Sequence, residues 1–196
     1  MQRNKVHRRG FTLIELIVVI AIMTLLSLVS VNAYISLTAA RRARAGAEML
    51  ASTLAAARSD AISQQVPFRV VIQRLDPLTN TPRPAFWIDE IDPSVPTTTL
   101  YPTATQLATG VRRQQVRGVI SPPEGTVVSS VIVGTTSTMT APPNPAYALV
   151  VFSPSGASNY ASIQVEDTRA RDASIRTASV TVYPATGRAS VQGGGL

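Results

Sequence analysis

A chain of 196 residues, 45% apolar and 15% charged, has room for one sizeable core and is too hydrophobic for a disordered tail. It lacks cysteine and its only histidine is His7, which removes disulfides, thiolate metal sites, a cysteine nucleophile and most routes to zinc or triad chemistry. The net charge of +7 is unevenly placed: Arg3, Lys5, Arg8 and Arg9 all precede Gly10, so more than half of the excess sits before that glycine.

After the basic tract, Phe11 to Val31 runs apolar, broken only by residues such as Glu15, Thr24, Ser27 and Ser30 and by no Pro or Gly. As a helix this stretch spans roughly 31 Å, which matches the hydrocarbon core of a bilayer. The residues beyond it, Asn32-Ala33-Tyr34-Ile35, offer no secretory-signal cleavage pattern. Glu15 is out of place: a carboxylate deep in hydrocarbon costs about 2.5–3.5 kcal/mol. It either meets a charged partner or snorkels to the interface.

The run Arg9-Gly10-Phe11-Thr12-Leu13-Ile14-Glu15-Leu16 resembles the type III signal of type IV pilins and type II secretion pseudopilins. The resemblance implies cleavage between Gly10 and Phe11 by a prepilin peptidase, N-methylation of Phe11, and pairing of Glu15 with the Phe11 amine of a neighbouring subunit. Charges about 4 Å apart attract by about 4 kcal/mol at an effective dielectric near 20. Desolvation offsets much of that, so the pair acts as a register device rather than as glue. The leader cations place the N-terminus in the cytoplasm, with Arg41, Arg42 and Arg44 beyond the far end of the run pulling the opposite way. Asn32 stands where many pilins have a helix-kinking proline.

Helical periodicity continues past the apolar run. Ala40, Ala43, Ala47, Leu50, Leu54, Ala57 and Ala61 alternate at spacings of three and four, a narrow seam with Arg41, Arg44, Glu48, Arg58 and Asp60 off it. So much alanine suits packing against the chain's own sheet better than a coiled coil. Pro67 predicts a helix end near Gln64 or Gln65. Short Val/Ile/Phe/Tyr-rich segments then read as strands: Phe68 to Arg74, Ala85 to Ile91, Val127 to Val133, Tyr147 to Ser153, Ala161 to Glu166, Ser179 to Tyr183 and Arg188 to Gln192. Asp92 to Gly110 and Gly134 to Pro145 read as Pro/Thr-rich loops. Ala51 to Ile62, Phe152-Ser153-Pro154-Ser155-Gly156 and Thr186-Gly187-Arg188 resemble the helix end and two turns of GspH- and FimT-type minor subunits.

Catalytic candidates fail on composition. Ser153 and Ser155 sit beside Gly156, but no histidine follows His7 to act as base, so no enzyme and no cofactor is expected. Asp89, Glu90 and Asp92, and likewise Glu166 and Asp167, are close enough to suggest a hard cation, yet lack the ligand set of a calcium loop; a solvated acidic strand end is expected and no metal. For nucleic acid the candidate contacts are Arg112, Arg113 and Arg117, read as a loop cluster, and Arg188. The Gly187-Arg188-Ala189-Ser190 stretch lacks the second arginine of the FimT-type DNA-binding sequence it resembles. Arg169, Arg171 and Arg176 are interleaved with Asp167 and Asp172, which dilutes their field.

The expected fold is therefore α+β and pilin-like: a long N-terminal helix, half transmembrane and half amphipathic, packed on an antiparallel β-sheet. The expected organisation is a cleaved leader at 1–10, a transmembrane and filament-core helix at 11–34, an amphipathic helix at 35–66 and a periplasmic sheet domain at 67–196. By the resemblance, the chain is a structural minor pseudopilin of GspH type in a type II secretion or type IV pilus-like filament, single-pass in the inner membrane before it enters the filament. Its partners would be other pilins or pseudopilins, the prepilin peptidase, the inner-membrane assembly platform and membrane lipid; the alternative is a FimT-like subunit that binds DNA during uptake.

Overall fold

The computed structural model describes residues 11–94, 99–134, 145–169 and 177–193. One helix, α1 (Leu13–Gln64), is followed by strands β1 (Phe68–Leu75), β2 (Pro82–Ile91), β3 (Val111–Arg113), β4 (Thr126–Gly134), β5 (Tyr147–Phe152), β6 (Tyr160–Asp167), β7 (Thr177–Tyr183) and β8 (Arg188–Gly193), with a short 3-10 turn at Gln106–Ala108. The chain separates into two compact units after Ile35. Helix α1 continues through Asn32 without a break. It stops where the sequence places its end: Gln65 takes a left-handed φ of 56°, its side-chain amide donates to the Ile62 carbonyl at 2.7 Å, and Pro67 follows.

In the second unit the Ala/Leu seam faces the core as its periodicity requires. Ala43, Ala47, Leu50, Leu54, Ala57 and Ala61 are fully buried in one cluster with Phe68, Val70, Ile72 and Phe152, and with Val165, Ile163 and Val180. Small side chains let the helix approach closely; a methyl on Gly46 would meet Val165 Cγ1 at 3.1 Å and Pro122 at 3.5 Å. Each buried Leu of this seam is worth about 2–5 kcal/mol against truncation to Ala.

The long helix packs on antiparallel sheet, as expected from sequence, and that sheet is divided into two. β3-β2-β1-β5 form one four-stranded sheet and β4-β6-β7-β8 the other, and all pairings are antiparallel. β4 lies beside β5 without pairing to it. The physical reason is that side chains occupy the facing strand edges. The Arg74 guanidinium donates to the Val128 and Ser129 carbonyls at 2.9 and 2.7 Å, where β4 carries a bulge. On the outer side of the first sheet, Val71, Tyr147 and Leu149 form a second small cluster with Trp87 and Leu107 packed against it.

Candidate functional site

The first candidate is the start of α1. Gly10 lies outside the described residues; Phe11 is 81% exposed. Thr12 and Glu15 make a reciprocal capping box over the first turn: the Glu15 amide donates to Thr12 Oγ1 at 3.4 Å, and the Thr12 amide to Glu15 Oε2 at 3.5 Å. The carboxylate thus satisfies a helix-end N–H and sits at the positive end of the helix dipole. The described large apolar side chains from Leu13 to Val31 are all exposed, the least being Val19 at 41%. Within that stretch the hydroxyls are not free. Thr24, Ser27 and Ser30 donate to the carbonyls of Ile20, Met23 and Leu26 at 2.7–2.9 Å, the way a hydroxyl is satisfied where no water reaches it. By length and composition this helix is able to cross a membrane.

The second candidate, the arginines, is dispersed and largely neutralised. Arg112 and Arg113 are not in a loop: they lie on β3, where Val111 alternates against β2, and Arg113 pairs in register with Glu90. Both guanidinium groups reach that carboxylate, Arg112 at 3.7 Å and Arg113 at 3.3 Å. Arg117 is turned toward α1 and grips Asp60 with two bonds of 2.7 and 2.6 Å, which holds its guanidinium still more firmly protonated. Arg188 stands exposed at the start of β8 in the other sheet, paired in register with Tyr183. The structure joins Arg112 and Arg113 through Glu90 and brings neither Arg117 nor Arg188 into that pair. Arg169 pairs with Glu124 at 3.4 Å; Arg171, Arg176 and Asp172 lie outside the described residues.

The acidic strand end expected to be solvated is not. Asp89 is buried, holds the equally buried Arg69 at 3.1 Å, and accepts the Gln115 amide at 2.9 Å. Arg69 also donates to the Leu107 carbonyl, so the ion pair ties β1 and β2 to the 3-10 turn. Pairing with arginine, rather than water, carries this carboxylate into the interior. Glu90 is nearly buried under its two arginines. Asp92 caps the next turn through the Ser94 hydroxyl and amide, which hold its carboxyl below the usual range. Asp167 is fully buried and accepts Arg42 of α1 at 3.3 Å. Among the described residues no group of three or more carboxylates or imidazoles converges to hold a metal.

The two turns singled out in sequence meet each other. Gly156 and Gly187 both have left-handed φ (82° and 59°), and a methyl on Gly187 would overlap the Gly156 carbonyl oxygen. Arg58 of α1 closes the junction by donating to the Thr186 carbonyl at 2.7 Å. The Ser153 hydroxyl is spent inside its own turn, on Ser155 at 2.8 Å and the Ala157 carbonyl at 3.1 Å. Sequence reasoning missed the role of Arg58, set aside only as an off-seam residue, and missed Tyr101 altogether; only Gly in each turn gave a local sign.

Residues 5–31 match the family model of the prokaryotic N-terminal methylation motif. No curated protein matches the chain in sequence. Among solved structures, the minor pseudopilin EpsH from the type 2 secretion system of Vibrio cholerae is similar over 79% of this chain and 99% of its own, at 13% identity and a TM-score of 0.47. The type IV minor pilin FimU of Pseudomonas aeruginosa is similar over 79% of this chain and 90% of its own, at 12% identity and a TM-score of 0.45.

Proposed function

We propose that this chain, which carries a prokaryotic N-terminal methylation motif over residues 5–31, belongs with the type IV pilins and pseudopilins and is a structural minor subunit of a filament of the type II secretion or type IV pilus kind. The observation that carries the reading is the conjunction of that motif with an exposed apolar helix starting two residues after Phe11. A prepilin peptidase cuts between Gly10 and Phe11, and the freed Phe11 amine is methylated. Leader cations hold the N-terminus in the cytoplasm, so the sheet domain is periplasmic and the chain is anchored in the inner membrane until the assembly platform extracts it into the filament. Lipid surrounds the apolar helix first, other pilins or pseudopilins afterwards. The chain has no enzymatic role in this account.

Glu15 is the assembly residue. In the single chain its carboxylate caps its own helix; in a filament it leaves that weak, long bond for the charged Phe11 amine of a neighbour. Loss of Glu15 leaves the neighbour's cation unpaired in an apolar core, which costs more than the pair is worth. Glu15→Ala is therefore expected to be processed normally yet to crosslink to other filament subunits in membranes several-fold less than the parent. Undiminished crosslinking contradicts the pairing.

Against the DNA-uptake alternative, Arg112, Arg113 and Arg117 are committed to Glu90 and Asp60. Phosphate binding draws on uncompensated cations, and of the four candidate arginines only Arg188 has no carboxylate partner among the described ion pairs.

A further inference from the structure

A sheet edge exposes N–H and C=O groups that template pairing with a strand of another chain. Two edges, those of β4 and β5, lie beside each other here, and among the described residues no strand pairs with either on that side, β5 making only the isolated bridge Phe152–Ser158. Side chains and one loop take the strand's place. On β5, the Leu149 amide donates to the Leu100 carbonyl at 2.8 Å, the Leu149 carbonyl accepts Asn159 Nδ2 at 3.2 Å, and the Val151 amide donates to Asn159 Oδ1 at 2.7 Å. On β4, Arg74 holds the carbonyls at the bulge, and Tyr101 closes the other end. The Val133 amide donates to the Tyr101 hydroxyl at 2.6 Å, and that hydroxyl donates back to the Val133 carbonyl at 3.1 Å. A phenol is donor and acceptor at once, so it does for Val133 what the facing residue of a hydrogen-bonded antiparallel pair would do.

We propose that Tyr101, seconded by Leu100, Arg74 and Asn159, is an edge guard that denies β4 and β5 to strands of a second copy of this chain and so keeps the sheet domain single. Tyr101 is the pivotal residue because one hydroxyl caps both groups of Val133, and burial keeps the phenol protonated, and hence able to donate, through the neutral range. Its ring packs against the main core, so Tyr101→Phe removes the guard and leaves the packing.

The test uses the full chain in detergent. The chain has no cysteine, and Ile132 lies on β4 between the inward-facing Val131 and Val133. An Ile132→Cys reporter therefore forms a disulfide only when β4 strands of two copies come together. With Tyr101 in place, the expected results are little disulfide and slow exchange of the Val133 amide. With Tyr101→Phe, exchange at Val133 in the dilute monomer, measured without the Ile132→Cys reporter, rises about tenfold, as loss of one net hydrogen bond implies, and with the reporter at higher concentration disulfide-linked dimers accumulate. Adding Val133→Pro, which has no N–H to offer a pairing strand, abolishes those dimers. Unchanged Val133 exchange in Tyr101→Phe, absence of new dimers, or dimers that persist with Val133→Pro, as general unfolding would give, each overturns the proposal.

Discussion

Arg69 and Asp89 illustrate what one residue costs when its partner goes. Both are buried, and Asp89 also holds the Gln115 amide. Replacing a buried pair by apolar groups is often harmless, but breaking it strands a charge, at about 3–5 kcal/mol. Asp89→Ala is expected to lose that much in denaturant unfolding of the chain; a loss below about 1 kcal/mol means the pair is wetter than its burial implies. Gly187 is the second such residue. Its left-handed φ and the adjoining Gly156 carbonyl leave no room for a methyl, so Gly187→Ala is expected to cost more than about 2 kcal/mol. Gly118, also left-handed but with open space about its Cβ position, is the control: alanine there is expected to cost no more than about 1–2 kcal/mol, the strain alone. Equal losses at the two glycines remove the steric argument.

At the scale of elements, periodicity carried far. The alternating seam of α1 and the Val/Ile-rich strands were legible because burial imposes a local period on the sequence, and every expected strand is present. What escaped has no period. β3 is three residues long, two of them arginines. The pairs Arg117–Asp60 and Arg42–Asp167 join residues 57 and 125 positions apart, which leaves no local mark on either segment. Likewise Arg112 and Arg113, read as part of a loop cluster, and Glu90, read as solvated, turned out to be partners. The Asp76 turn between β1 and β2 shows the same logic with a pH signature. Its carboxylate accepts the Leu78 amide and pairs with Arg83, and both hold its pKa below the usual carboxylate value. A depressed folded pKa stabilises the turn above the unfolded value, near 4, and that contribution is lost as pH falls through the lower, folded value. Protection of the Leu78 and Thr79 amides, relative to their intrinsic exchange at each pH, is therefore expected to fall only below about pH 4, and Asp76→Asn to remove that acid dependence. An acid step that survives in Asp76→Asn assigns it elsewhere.

For the whole molecule, the candidate site divides the same way. The N-terminal methylation motif was legible because it is written in consecutive residues; the sheet domain's surface was not, because its charge balance is settled only by folding. The two compact units place their apolar side chains differently, the first with those described turned outward and the second with them turned into a core. On the proposed reading such a polypeptide is a membrane-anchored subunit awaiting assembly, and the central claim of that reading is that cutting after Gly10 readies it. The sequence supplies a clean readout: no lysine follows Lys5, so the processed chain has its Phe11 α-amine as its one amine. Intact-mass analysis of the chain from membranes, before and after exhaustive amine labelling, tests the claim most directly. The account predicts a chain that begins at Phe11 with a single methyl group and one labelled amine, and a retained leader in Gly10→Val. A chain that keeps Met1 and labels at Lys5 in the presence of a prepilin peptidase, or a Gly10→Val chain processed like the parent, contradicts it.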